Sequence, residues 1–206
     1  MRITKANDET EMKTELTRDD ILDMDAYNAV RDERRPAILE TKRKRRLQVG
    51  PHATFYFECF DTMWYQIQEM LRIEKGGEEQ LADELEAYSP LVPKGDELVA
   101  TVMFEIPDAD LRARILGGLG GVEETITMDI GDETIAAEAE QDVDRTSAAG
   151  KASSVQFVHF KLTPSQIAAF TSPDTRVMVG INHSNYGHMA ILSDELKEEL
   201  ARDFAG

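Results

Sequence analysis

Apolar positions along the chain recur with two periods. Ile21, Leu22, Met24 and Tyr27 fall three to four apart, the spacing of one helix face. Ahead of them, Leu16-Thr17-Arg18-Asp19-Asp20 offers Thr17 as a cap with Asp20 three residues on, the signature of a helix start. Pro36 fits best in the first turn of a helix, so a second helix is predicted from Arg35 to Arg45. Thr54 to Phe60 is rich in aromatic β-formers and predicts a strand. Met63, Ile67, Met70 and Leu71 mark the face of a helix from Thr62 to Glu74, with Asp61 as its cap. A helix from Glu78 to Tyr88, a strand from Leu98 to Ile106 and a short helix to Leu116 follow.

The period of two dominates the rest. Thr125–Ile130 and Thr134–Ala139 alternate around Gly131-Asp132, a two-residue hairpin turn. Pairing Ile130 with Glu133 sets Met128 opposite Ile135 and Ile126 opposite Ala137. Residues 141–152 read as a polar loop. Then come a strand from Ser154 to Leu162, a helix capped at Thr163-Pro164-Ser165-Gln166, strands at Arg176–Asn182 and His188–Leu192, and a terminal helix after Ser193. Helices in front and strands joined by short turns behind predict an α+β fold, a mainly antiparallel sheet with helices packed on one face. Residues 1–15 lack a pattern and read as a loose extension; residues 16–206 read as a single domain.

Composition narrows the function classes. A chain of 206 residues, 41% hydrophobic and 31% charged, can bury a core without a metal or disulfide staple. No apolar run approaches the ~20 residues that span a bilayer. Met1 to Lys5 shows no apolar leader, and a single cysteine, Cys59, excludes an internal disulfide framework, so a cytoplasmic location is expected. The net charge of −17 argues against broad binding to nucleic acid or anionic membranes. Charge is uneven, however: residues 31–46 carry eight bases and three acids, whereas residues 123–144 carry nine acids and no base.

Four groups of residues carry candidate chemistry. Lys42, Arg43, Lys44, Arg45 and Arg46 form either a docking segment for RNA or an acidic protein, or a helix end whose cations offset its own dipole. Cys59 alternates with Phe55 and Phe57 and reads as a buried, inert thiol. Glu58 alternates to the opposite strand face; with Gln66, Glu69 and Arg72, spaced three apart on the next helix, it marks a polar ligand pocket or a structural ion pair. His183 and His188 enclose Ser184-Asn185-Tyr186-Gly187. Were those four residues to close a hairpin, the two histidines would be opposed neighbours able to share an ion. His159 would be the third ligand and Glu58 a carboxylate, a set that suits zinc or iron; otherwise these are loop and core histidines. The cluster Gly117–Gly121 follows a helix and lacks a Lys-Ser/Thr, so it reads as a turn rather than a phosphate loop.

The stretches Arg45-Arg46-Leu47-Gln48-Val49-Gly50-Pro51, Thr54, Phe57-Glu58, Gln66-Ile67-Gln68-Glu69-Met70-Leu71-Arg72 and His183-Ser184-Asn185-Tyr186-Gly187-His188 resemble a bacterial family of conserved proteins of unknown function. The resemblance spans roughly residues 15–192, and Cys59 and Ser89 stand where members tend to have Asn. Genes of that family often neighbour those of rubrerythrin-like and iron–sulfur oxidoreductase proteins. The resemblance therefore implies a cytoplasmic accessory protein that binds a metal or small ligand as partner of an oxidoreductase protein. The alternative is an RNA- or protein-docking module using residues 31–46.

Overall fold

The computed structural model describes residues 12–140 and 151–204. Their elements are α1 (Met24–Lys44), β1 (Arg46–Val49), β2 (Ala53–Phe57), α2 (Phe60–Glu74), α3 (Gly77–Tyr88), β3 (Glu97–Phe104), α4 (Ala109–Gly117), β4 (Ile126–Ile130), β5 (Glu133–Ala136), β6 (Glu138–Ala139), β7 (Val155–Lys161), α5 (Pro164–Thr171), β8 (Val177–His183), β9 (Tyr186–Ile191) and α6 (Asp194–Leu200). The strands form two antiparallel sheets, β1-β2-β3-β7-β6 and β5-β4-β8-β9. The α+β, antiparallel class read from the sequence is the one observed. Part of the predicted extension, residues 1–11, and most of the predicted polar loop, residues 141–150, lie outside the described residues.

The expectation of one sheet with helices on one face is corrected to a layered arrangement. Strand alternation sends Phe55, Phe57, Ala100, Val102, Val158 and Phe160 to the face of the five-stranded sheet that meets the second sheet. There they pack with Ile126, Met128, Val179 and Ile181, while Phe170 of α5 and Leu196 and Leu200 of α6 join the same cluster. The opposite face carries Val99 and Phe157, which pack under Met63, Trp64, Ile67 and Leu71 of α2, Tyr27 of α1 and Leu81 of α3. Of the predicted α2 face, Met63, Ile67 and Leu71 are buried and Met70 is half-buried; Trp64 and Gln68 are buried besides.

Two helix starts differ from the prediction. The Asp20 carboxylate accepts the Thr17 N–H (2.9 Å) as the capping pattern requires, but it closes only a 3-10 turn at Arg18–Asp20. The cap of α1 is Asp23, which accepts the Ala26 N–H at 2.8 Å. Helix α1 then runs through Pro36 instead of breaking there. A proline inside a helix removes one backbone bond and costs ~3 kcal/mol. Positions 32–37 face solvent, so water can satisfy the freed carbonyl. Contacts to α2 on both sides of Pro36 tie the two halves of the helix to one neighbour: Arg31 pairs with Glu69, Arg34 lies over Trp64 and Lys42 over Tyr65.

The hairpin around Gly131-Asp132 has the predicted register, Ile130 opposite Glu133 and Met128 opposite Ile135, and Gly131 takes the positive φ its turn demands. Beyond Ala136 the strand changes sheet. Ala137 still donates to the Ile126 carbonyl (2.9 Å), but Glu138 pairs with His159 in the other sheet. One continuous segment thereby closes that side of the sandwich.

Candidate functional site

Sheet alternation also places Tyr56, Thr101, Met103, Val155 and Phe157 on the helix-covered face of the five-stranded sheet. The chain leaves β2 with Glu58 on that same side, its N–H donating to the Val99 carbonyl. The helices cover this face only in part. A cavity of about 300 Å³ remains between it, the C-terminal end of α1, α2 and Tyr88 of α3. Its polar lining comes from Glu58, Thr62, Gln66, Tyr88, Thr101 and Lys42; Met63, Met103, Val155 and Phe157 supply apolar wall.

Glu58 is 6% exposed. One carboxylate oxygen accepts the Thr62 hydroxyl at 2.6 Å and the other the Thr101 hydroxyl at 2.7 Å. Among the described residues no cation pairs with it. Arg45, also at the cavity, is 2% exposed and donates to the carbonyls of Phe57 and Glu58, both at 3.0 Å, and to the Asp203 carboxylate. Burial pushes the Asp203 carboxyl up to about 6 even beside that guanidinium. Lys42 stands at the rim with its ammonium 5.6 Å from the Tyr65 ring centre, and no carboxylate among the described residues pairs with it.

Of the four predicted pocket residues, the structure brings Glu58 and Gln66 to the cavity and leaves Glu69 and Arg72 out of it. Glu69 turns toward α1, where Arg31 grips both its oxygens (2.7 and 2.9 Å) and the Tyr27 hydroxyl donates a third bond (2.7 Å). The Arg31 hydrogen bonds, with Tyr27 adding to them, hold the Glu69 carboxyl down at about 2. Arg72 donates to the Asn28 side chain. Sequence spacing missed Thr62, Tyr88 and Thr101. Thr101 was findable from the period of β3; Tyr88 reaches the cavity only through the α2–α3 turn.

The three histidines are not brought together. The hairpin is tighter than the predicted four-residue loop: His183 pairs with Tyr186 and His188 with Ile181, which corrects the opposed placement of the two histidines. His183 accepts the Asn185 N–H on Nδ1 (3.2 Å), which leaves Nε2 to donate to the Gly120 carbonyl (3.3 Å). His188 packs edge-on against Tyr186. His159 sits in the other sheet with Nδ1 2.9 Å from Glu97 and Nε2 2.8 Å from Glu140. Among the described residues no group of three or more His, Cys, Asp and Glu could hold a metal ion.

Two further expectations change. Cys59 is not a strand residue but the N-cap of α2, half-buried, its N–H donating to the Thr62 hydroxyl; burial pushes its thiol pKa up. In the basic segment Arg45 is buried, so it is not part of any docking surface. Arg43 and Lys44 pair with Glu40, and Arg46 with Glu105. No described helix is long and apolar enough to cross a membrane.

A solved structure of a novel protein of unknown function from Burkholderia pseudomallei is similar, with 34% sequence identity and a TM-score of 0.84 over 92% of this chain and 99% of that one. Among curated proteins there is no match. Residues 15–204 match the family described as a protein of unknown function, DUF3501, and the chain belongs to that family.

Proposed function

We propose that this protein binds a small organic molecule in the cavity between α1, α2, Tyr88 and the five-stranded sheet. The observation that carries the reading is Glu58, a buried carboxylate held by two hydroxyls, with no counter-cation among the described residues, at the wall of a 300 Å³ cavity. Burying a charge without a partner costs several kcal/mol, and a fold has no need of that expense unless something else meets the charge. Volume and mixed lining match small-molecule sites at the lower end of their size range. The arrangement supports binding rather than bond-making. Among the described residues the cavity lining contains no histidine or cysteine, and the Thr62 and Thr101 hydroxyls already donate to Glu58 instead of facing a base.

The test is a ligand-observed NMR screen of neutral, cationic and anionic fragments against the intact chain and a Met103→Trp variant. Met103 lines the cavity and is 37% exposed, so a larger side chain there fills space without entering the core. Fragments that bind the parent and are lost in Met103→Trp support the reading. A screen with no binder, or binders indifferent to Met103→Trp, refutes it.

A further inference from the structure

The cavity carries two opposite charges that do not meet. Glu58 lies in its wall with both oxygens on threonine hydroxyls, and Lys42 also lines it, with its ammonium over the neighbouring Tyr65 ring. Neither has an oppositely charged partner among the described residues, although each is a side chain that ordinarily finds one when it leaves bulk water. The third charge at the cavity, Arg45, is spent on Asp203 and on two main-chain carbonyls. The lining also has an apolar part: Met63, Met103, Val155 and Phe157.

We infer that the ligand is a small zwitterion, an apolar amino acid or a molecule of that chemistry, with its ammonium on Glu58 and its acid group toward Lys42. This rests on the cavity being the binding site. A cation alone would satisfy Glu58 and face Lys42 unfavourably. An anion alone would do the reverse, meeting an acceptor-only carboxylate. A neutral molecule would leave both charges as they are. A zwitterion matches both, and charge-assisted hydrogen bonds at its two ends are the stronger kind. The apolar part of the wall is where the hydrophobic side chain, leaving the carbon that carries both charges, would rest. Gln66, a further polar group of the lining, can bond either end.

Calorimetric titration of the full chain tests this with leucine, methionine and phenylalanine, and with two leucine fragments, 3-methylbutylamine and 4-methylpentanoate. At least one amino acid is expected to bind, and for leucine each fragment is expected to bind about tenfold more weakly or worse, the loss of one charge-assisted contact. Lys42→Met should abolish the advantage of leucine over the amine. Glu58→Gln should abolish its advantage over the acid. Lys42 sits at the rim, so its variant stays informative if Glu58→Gln fails to fold. Equal binding of leucine and either fragment overturns the inference. So does an absence of amino-acid binding while other fragments occupy the cavity, an outcome that leaves the site itself standing. If no fragment of any charge binds there, the site reading has failed and this inference with it.

Discussion

The buried Tyr186 hydroxyl donates to the Val49 carbonyl at 2.8 Å and accepts the N–H groups of His52 and Ala53, each at 2.9 Å. It thus completes the turn between β1 and β2 from the other sheet, closing the side of the sandwich opposite the β5–β6 crossing. Tyr186→Phe keeps the ring and strands three backbone groups. A loss of about 3 kcal/mol in urea-unfolding free energy is expected, well above the ~1 kcal/mol of an ordinary hydrogen bond.

Gly50 sits in that turn with φ of +70°, and a Cβ there would lie 2.5 Å from Cγ of His188 and 2.8 Å from the Tyr186 hydroxyl. Gly50→Ala is expected to cost about 2 kcal/mol or more, the left-handed backbone supplying ~1 and displacement of the His188 ring the rest. Gly77→Ala is the control. Its φ is +71° with nothing within 4 Å of the added atom, so only the backbone part should appear in a thermal melt.

Arg45 and Asp203 join the start of β1 to the end of the chain as a buried pair. Asp203→Ala leaves the guanidinium inside with the Glu199 carboxylate 3.6 Å away as its remaining acidic neighbour. A loss of about 3 kcal/mol is expected by denaturant titration, because the cost is that of an abandoned buried charge rather than of one contact.

His159 should titrate high. Burial by itself would lower its pKa, but carboxylates on both ring nitrogens outweigh that and hold it above the ordinary 6.5. A raised folded-state pKa means its contribution is fully present below about pH 6.5 and is lost as pH rises through the folded value. Urea midpoints at pH 6 and pH 9 check this. The parent should lose more stability over that interval than His159→Gln, and imidazole NMR shifts should give the raised pKa directly.

Local chemistry in the chain was enough for much of the architecture. The Gly131-Asp132 turn set its own register because two residues leave a hairpin only one way to pair, and Thr163-Pro164-Ser165-Gln166 formed the capping box it spells. The alternation around Thr54, Tyr56 and Glu58 correctly separated the polar side of β2 from its phenylalanines. Periodicity reports which side of an element is apolar but not how many partners cover it. The same alternating strands therefore fitted one sheet as well as two, and the change of sheet at Ala137 leaves no local mark.

The site divides along the same line. Glu58 and Gln66 were legible because strand and helix periods aim them toward the gap between β2 and α2. Glu69 and Arg72 share that helical spacing, but α1 lies alongside, and Arg31 and Tyr27 claim Glu69 from thirty-eight and forty-two residues away in sequence. Such long-range pairings also carried α1 across Pro36, where helix preference alone predicts a break. Hydrogen-bonding period is a property of neighbours in the chain. Which charge finds a partner, and which stays unpaired at a cavity, is a property of neighbours in space.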